Sequence, residues 1–240
     1  MTNTEFKVGA IKPVECLKEA WELIKPNYIL LFAVAIVGVM IGGITMYVLI
    51  GSMMCGVYLC YLQAIDGQKV EFDALFKNIK QYFLPSLPVV ILIVVPMLVV
   101  FGVIYFPLIM ATIMGSKLSE SELMTMLFGS LAVDLVITII MVCLHTLLMF
   151  AFPLIVDRNL SGWQAIKLSA KSVWKNLGGV TGLWAVMFVV NLAGTLLFCF
   201  GVYFTIPIIL ATQVVAYRKV FPKQGNQLFN SPPPPNAFNL

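Results

Sequence analysis

The stretch YILLFAVAIVGVMIGGITMYVLIGSMMCGVYLCYLQAI, residues 28–65, contains no Asp, Glu, Lys, Arg or His. A second charge-free stretch covers residues 178–217. A helix that crosses a bilayer needs about 20 mostly apolar residues, so each stretch, at about 40 residues, has room for two crossings. The 240-residue chain is 60% hydrophobic and only 11% charged, which excludes a water-soluble globular protein. The sequence predicts an all-α, polytopic integral membrane protein.

The basic residues predict how the chain is oriented in the membrane. Every lysine and arginine except Lys117 lies in one of four segments, at residues 7–25, 69–80, 158–175 and 218–223. Because basic loops stay on the cytoplasmic side, an even number of crossings must separate neighbouring segments. Residues 84–156 then contain two crossings or four, and four would have only about 15 to 17 residues each, too few to span comfortably. We therefore expect two long crossings there, tilted or kinked at proline.

The resulting prediction is a single transmembrane domain, residues 1–221, followed by a flexible, proline-rich cytoplasmic tail at 222–240. Six transmembrane helices form three helical hairpins, and Gly42-Gly43 indicates the turn of the first. Both termini face the cytoplasm, and the expected location is the bacterial plasma (inner) membrane. The predicted spans cover residues 28–46, 48–65, 84–114, 123–156, 178–196 and 199–217.

A stripe of lysines precedes the last hairpin, in DRNLSGWQAIKLSAKSVWKNLGG at residues 157–179. Ser161 followed by Gln164 has the spacing of a capping box and predicts the start of a helix. Apolar residues at three- and four-residue steps predict one apolar face, with the lysines on the opposite side. Such a helix lies flat among lipid headgroups, where each lysine contributes about 1 kcal/mol of attraction to anionic lipid. The predicted apolar face contains Trp163, Ile166, Ala170, Val173, Trp174 and Leu177.

Comparable amphipathic patterns precede the other two hairpins, so cytoplasmic interfacial helices are predicted at about 13–25, 72–83 and 161–177. The chain then consists of three copies of one unit, an interfacial helix followed by a helical hairpin. The alternative is that any cytoplasmic loop of a membrane protein is basic and amphipathic. The apolar positions are Val14, Leu17, Trp21 and Ile24 in the first segment, and Phe72, Leu75, Phe76, Ile79 and Phe83 in the second.

The basic side chains of these segments are the candidate contacts with lipid headgroups. Asp157-Arg158 and Arg218 lie at the inner membrane edge, where an ion pair, a phosphate contact or a snorkelling anchor are the alternatives. The predicted headgroup contacts are Lys167, Lys171, Lys175, Lys77, Lys80, Arg158 and Arg218.

Asp134 and His145 are the ionisable residues within apolar stretches, and such residues are costly to keep in lipid. They are eleven residues apart on one predicted helix, so both face the same way about 16 Å apart. With Asn191 they form a candidate polar pathway for protons or cations. Alternatively, Asp134 lies at the outer surface, His145 bonds to a nearby backbone carbonyl, and Asn191 makes an interhelical hydrogen bond.

The sequence contains none of the common catalytic or phosphate-binding motifs and no cluster of Cys and His residues. We therefore expect no enzyme activity, no cofactor, no metal and no nucleic-acid partner. The expected partners are membrane phospholipids with anionic headgroups. The prolines of the tail also suggest a docking peptide for a protein partner, as an alternative to a plain flexible end. The oligomeric state is not predicted.

The run FPLIVDRNLSGWQAIKLSAKSVWKNLGG at residues 152–179, with Gly194, Gly201, Pro207 and AYRK at 216–219, carries a resemblance. Over about 153–220 it resembles a large group of uncharacterised bacterial polytopic integral membrane proteins. That group is similar in turn to the membrane domain attached to some glycerophosphodiester phosphodiesterases. The resemblance implies the membrane fold and no activity, because no segment here is long enough for the catalytic domain.

Two hypotheses for function follow. The first is a non-enzymatic inner-membrane protein, a lipid-interacting scaffold or modulator of an envelope or lipid-linked process. The second is a small transporter or channel for protons, cations or a small solute that uses Asp134 and His145.

Overall fold

The computed structural model describes residues 5–113, 120–197 and 201–223, and in these ranges the chain forms helices and no strands. The tail after Lys223, Lys117 and Cys199 lie outside the described residues. The helices are α1 (Pro13–Ile24), α2 (Tyr28–Ile44), α3 (Ile50–Ile65), α4 (Ala74–Lys77), α5 (Ile79–Val100), α6 (Phe106–Ile113), α7 (Glu120–Leu147), α8 (Ala151–Arg158), α9 (Gly162–Lys175), α10 (Leu177–Leu197) and α11 (Gly201–Val220). A 3₁₀ turn, Lys25–Asn27, joins α1 to α2, and a π-helical segment, Phe101–Tyr105, joins α5 to α6.

Five helical segments of the described chain are long and apolar enough to cross a membrane, by length and composition. The apolar helix Ile50–Ile65 has 16 residues and is shorter than these five. The apolar helices indicate a membrane-embedded protein. The five segments are Pro13–Ile44, Ile79–Val100, Phe128–Arg158, Leu177–Leu196 and Gly201–Val220.

The chain divides into two compact units. The first contains the described residues of Met1–Ala35, Cys60–Val70 and Trp174–Leu240, and the second contains those of Ile36–Leu59 and Glu71–Val173. In the first unit α1, α10 and α11 pack together. Glycines permit the close approach, since a Cβ on Gly179 would lie 2.7 Å from Ile11 Cβ and one on Gly182 would lie 2.8 Å from Pro13 Cγ.

The segment that precedes α1 is held in the first unit by the side chain of Asn176, which is 4% exposed. Its Oδ1 accepts a hydrogen bond from the Gly9 N–H at 2.7 Å, and its Nδ2 donates to the Lys7 carbonyl at 3.1 Å. The Lys7 N–H donates to the Val220 carbonyl at the end of α11. Asn176 therefore satisfies two backbone groups of an irregular segment that has no helical partners of its own.

The first turn of the second unit contains residue 47, where the predicted spans 28–46 and 48–65 meet, but it does not lie at Gly42-Gly43. Gly42 and Gly43 lie inside α2, and the turn follows at Thr45–Leu49. Gly42 faces Ile50 at the start of α3, where any Cβ would clash. The helix ends when Tyr47 N–H donates to Gly42 O and Met46 N–H to Gly43 O, with Met46 in the left-handed region at φ 49°. Gly42 thus permits the close approach of α3, and the carbonyls of both glycines accept the hydrogen bonds that end α2.

The predicted crossing at 123–156 is interrupted in the structure by a turn at residues 148–150, between α7 and α8. Ser169 on α9 supplies the hydrogen bonds that this break requires. Its hydroxyl donates to the Leu147 carbonyl at 2.7 Å and accepts from the Phe150 N–H at 3.1 Å. A serine at the packed face of α9 therefore stabilises an interruption that the hydropathy of residues 123–156 does not reveal.

The other middle helix is continuous from Ile79 to Ile113 through α5, the π-helical segment and α6. The helix predicted at 72–83 is therefore two elements, the four-residue α4 and the first turn of α5. Pro107 cannot donate the usual bond four residues back, and the widened turn immediately before it accommodates this loss. Most of the described side chains along Val95–Ile113 and along α7 are exposed within the second unit.

Candidate functional site

Helix α9 has a packed side, a side with exposed tryptophans and a side with exposed lysines. Its packed side differs from the apolar face that the sequence predicts. The buried side consists mainly of small residues, and Ser172 donates to the Ser169 carbonyl there. Of the predicted apolar face, Val173 alone is fully buried, whereas Trp163 is 55% exposed and Trp174 69% exposed. The residues of the packed side are Gly162, Ala165, Leu168, Ser169, Ser172 and Val173.

Lys167, Lys171 and Lys175 are exposed beside the tryptophans, not opposite to them as predicted. At about 100° per residue, the three lysines occupy the third of the helix that adjoins the Trp163 side. The Lys167 ammonium lies 5.9 Å from the centroid of the Trp163 ring, within the range of a cation–π contact. Lys167 follows Trp163 by four residues and Lys171 precedes Trp174 by three, so any α-helix places these lysines next to the tryptophans. The packed small residues explain only why the tryptophans lie outside.

The start of α9 contains one of the two hydrogen bonds of the predicted capping box. The Ser161 N–H donates to Gln164 Oε1 at 3.3 Å, and the Ala165 N–H donates to the Ser161 carbonyl. The glutamine side chain thereby satisfies the backbone donor at the cap of the helix.

Helix α1 repeats the arrangement of α9 in the first unit. Its buried residues are Cys16, Ala20 and Ile24, while Val14 is 55% exposed and Trp21 is 39% exposed. A packed side of small residues again leaves a tryptophan at the surface. Of the predicted first face, Val14 and Trp21 are therefore exposed, whereas Leu17 is half-buried and Ile24 is fully buried.

Two of the predicted headgroup contacts are buried, and each lies against a carboxylate. The Arg218 side chain, 13% exposed, donates from Nε to Asp66 Oδ1 at 3.0 Å and from Nη2 to Asp66 Oδ2 at 2.8 Å. The Arg158 side chain is 5% exposed, with Nε 3.7 Å from Asp157 Oδ2. Each guanidinium therefore faces a carboxylate, which is the ion-pair alternative of the sequence analysis, and contact of these arginines with lipid headgroups stays a prediction. Lys77 and Lys80, in contrast, are exposed.

Asp66 was not identified from the sequence as a partner for Arg218. It accepts the two bonds from Arg218 and also lies 3.3 Å from Lys223 Nζ. The guanidinium is 5.5 Å from the Tyr217 ring. The available signal was that Asp66 directly follows the first charge-free stretch and Arg218 directly follows the last.

The candidate polar pathway is composed of separate local contacts. Asp134 Oδ2 accepts a hydrogen bond from Tyr105 OH at 3.1 Å, and His145 Nδ1 lies 2.8 Å from the Met141 carbonyl. Both side chains are thus engaged with neighbours other than each other. Asn191 lies on α10 in the first unit, whereas Asp134 and His145 belong to the second. Tyr105 was missed in the sequence, where its position at the end of FGVIY, just before Phe106 and Pro107, was the only signal.

Within the described residues no group of three or more His, Cys, Asp or Glu side chains is placed to hold a metal ion. The thiols of Cys16, Cys55 and Cys60 are buried, and that of Cys143 is exposed. The arrangement therefore offers two kinds of surface chemistry, cations beside indole rings on α9 and a carboxylate beside a phenol on α7. Comparison of the chain with protein-family models, curated proteins and solved structures finds no match.

Proposed function

We propose that the protein is a non-enzymatic integral inner-membrane protein that binds anionic lipid through its amphipathic helices and acts as a scaffold or modulator of an envelope or lipid-linked process. The proposal includes six spans in three hairpins, each preceded by a cytoplasmic interfacial helix, with both termini in the cytoplasm of a bacterium. It also includes the relationship of residues 153–220 to the bacterial membrane-protein group that they resemble.

The observation that carries the proposal is the outward side of α9. Trp163 is exposed there, with the Lys167 ammonium above its ring. Indole rings are favoured at the level of lipid headgroups, because they combine an apolar body with a polar N–H. Lysines beside them place positive charge at the depth of lipid phosphates. A helix that rests its small-residue side on the protein and exposes tryptophan and lysine is suited to the membrane interface.

The buried arginines limit which residues take part. Arg158 and Arg218 already face Asp157 and Asp66, so the attraction to anionic lipid falls on the exposed lysines of α9, with Lys77 and Lys80 as further contributors. At about 1 kcal/mol for each basic residue near an anionic surface, the three lysines of α9 together contribute at most about 3 kcal/mol. This attraction extends over about one Debye length, which shortens as salt is added. The preference for anionic lipid should therefore fall as ionic strength rises.

The test replaces Lys167, Lys171 and Lys175 with glutamine in the full-length protein. In nanodiscs with equal amounts of phosphatidylglycerol and phosphatidylcholine, native mass spectrometry measures which lipid stays bound after release. We expect the excess of phosphatidylglycerol on the wild type to fall at least five-fold in the triple variant. The control is Lys12→Gln, which removes an exposed lysine that already pairs with Glu15 at 3.0 Å. An unchanged lipid preference in the triple variant would contradict the proposal.

The second candidate function is a small transporter or channel for protons, cations or a small solute through Asp134 and His145. The hydrogen bond between Tyr105 OH and the Asp134 carboxylate favours it, since a polar pair between apolar helices is typical of ion pathways. Flux measured in proteoliposomes under proton and cation gradients tests this candidate, and Asp134→Asn should abolish any flux. The absence of flux in the wild type under every gradient would eliminate it.

A further inference from the structure

A carboxylate and two aromatic rings meet on the outer side of the two long middle helices. Tyr105, the last residue of the π-helical segment, donates its hydroxyl to Asp134 on α7 at 3.1 Å. The ring of Phe101 stacks on that of Tyr105, with centroids 6.3 Å apart and planes 26° apart. Phe101 is 52% exposed and Tyr105 40% exposed, so both rings are accessible from outside the second unit.

The charge of Asp134 has no basic partner in the described part of the chain, since none of the ion pairs there includes it. Its neighbours on α7 are apolar and face outward, with Leu131 62% exposed and Leu135 64% exposed. A single hydrogen bond from a phenol leaves the negative charge of the carboxylate without a compensating charge. A positive group from outside the chain would complete the compensation.

The depth of the site in a bilayer can be obtained independently from each helix. Tyr105 lies about 25 residues after Lys80, which is about 37 Å along a straight helix. Asp134 lies about 23 residues before Asp157, which is about 35 Å, and the turn at 148–150 shortens this somewhat. A bilayer has a hydrocarbon core about 30 Å thick and measures about 40–45 Å with its headgroups. If Lys80 and Asp157 lie in one headgroup layer, the Tyr105–Asp134 pair lies in the opposite one.

The positive groups at that depth are the ammonium groups of zwitterionic phospholipids. An ammonium donates charge-assisted hydrogen bonds to a carboxylate and is attracted to the faces of aromatic rings. We infer that Phe101, Tyr105 and Asp134 form a binding site for the primary ammonium headgroup of phosphatidylethanolamine, in the leaflet opposite to Lys80. The acyl chains of that lipid would lie along the exposed apolar side chains of α7. This site uses different residues and the opposite charge from the lysine surface of α9, and shares with it only the placement of the chain across a membrane.

The first experiment measures lipid retention with full-length protein in nanodiscs of equal parts phosphatidylethanolamine and phosphatidylglycerol. Native mass spectrometry should show that Asp134→Asn lowers retained phosphatidylethanolamine at least five-fold. Tyr105→Phe should lower it about two-fold, because the ring remains but the carboxylate loses its positioning bond. The matched control is Asp73→Asn, the same chemical change at an exposed acid that precedes α4. Equal retention by Asp134→Asn and the wild type would overturn the inference.

The two lipid proposals fail separately in this design. Changing the lysines of α9 should alter phosphatidylglycerol and leave phosphatidylethanolamine unchanged, whereas Asp134→Asn should do the reverse. If both lipids respond to Asp134→Asn equally, the carboxylate has no selectivity for an ammonium group and the inference is wrong, whatever the result for the lysines.

A second experiment needs no variant, which removes the risk that Asp134→Asn folds poorly. A membrane-permeable carbodiimide activates the carboxylate of the wild-type protein, the lipid amine attacks it, and an amide forms while the carbodiimide leaves as its urea. Peptide mapping by mass spectrometry should locate a phosphatidylethanolamine adduct on Asp134. Adducts confined to other acids would overturn the inference. Phosphatidylcholine, which has no N–H, serves as the unreactive control lipid.

Discussion

The group α1, α10 and α11 differs from the two long middle helices, Ile79–Ile113 and α7, in how its apolar and polar side chains are accommodated. Nine of the 20 residues of α11 are buried within the protein, against three of the 22 residues of α5. The first group buries polar side chains and satisfies them internally, as Asn176 and the Asp66–Arg218 pair do. The long helices leave both their apolar residues and Asp134 facing outward. Stability of the first group therefore depends on contacts within the chain, and that of the long helices depends on the surrounding membrane.

The largest expected effect comes from removing the charge of Asp66. Asp66→Asn leaves Arg218 with an amide in place of a carboxylate, although the two side chains are only 11% and 13% exposed. Breaking a buried ion pair by removal of one partner typically costs about 3–5 kcal/mol. We expect a clearly lower midpoint of thermal unfolding for the variant in detergent, followed by circular dichroism.

The control for Asp66→Asn is Glu19→Gln, which removes the pair between Glu19 and Lys219 at 2.6 Å. These side chains are 44% and 37% exposed, so the pair should contribute less than about 1 kcal/mol. If both variants lowered the midpoint equally, the distinction between internally paired and surface charge in the first unit would be wrong.

Glycine substitutions should change the stability of the two regions in opposite directions, by smaller amounts than Asp66→Asn. A Cβ on Gly179 of α10 would lie 2.7 Å from Ile11 Cβ and 2.9 Å from the Ile11 carbonyl oxygen, so Gly179→Ala must displace the segment before α1. Overpacking of this kind costs about 1–3 kcal/mol. Gly129 of α7 has nothing within 4 Å of its added Cβ, so Gly129→Ala should stabilise the helix by up to about 1 kcal/mol.

The adjacent Gly178 provides the matched control for Gly179, because a Cβ on Gly178, like one on Gly129, meets nothing within 4 Å. Gly178→Ala should therefore raise the unfolding midpoint slightly while Gly179→Ala lowers it. A fall for Gly129→Ala similar to that for Gly179→Ala would show that α7 is packed as closely as α10, contrary to its exposure.

The membrane class of the protein could be predicted from residues 28–65 and 178–217, because hydropathy depends on composition and requires no knowledge of packing. The predicted spans 28–46 and 48–65 meet inside the turn of the first pair, at 45–49, but the assignment of that turn to Gly42-Gly43 was wrong. A glycine pair is equally compatible with a turn and with a close helix contact. The contact of Gly42 with Ile50, eight residues later, decides between them, and no sequence pattern marks that contact. The interruption after α7 likewise depends on Ser169, which accepts a hydrogen bond from the Phe150 N–H, 19 residues earlier in the chain.

The candidate site shows a similar division. The exposure of Lys167 followed from its spacing, but the orientation of the tryptophans did not, because a pattern of apolar residues does not reveal which of them are packed and which face lipid. An ion pair was one alternative for Arg218, but its partner Asp66 is 152 residues away, and only its place directly after the first charge-free stretch pointed to it. Asp134 was identifiable as an unusual charge, whereas Tyr105 becomes visible only when α5 and α7 are placed together.

The smallest expected effect lies in the exposed turn between α2 and α3. Met46 is 85% exposed and adopts φ 49°, in the left-handed region that glycine occupies without steric cost. Met46→Gly relieves about 1 kcal/mol of backbone strain, and the greater freedom of glycine in the unfolded chain cancels part of that gain. We expect a midpoint in detergent that rises slightly or stays within error. A marked fall would mean that the Met46 side chain itself contributes to stability, and repeating the measurement in nanodiscs would show whether lipid supplies the contact. Because this turn has few packing neighbours, its response isolates the backbone, whereas the Gly179 substitution reports on packing between helices.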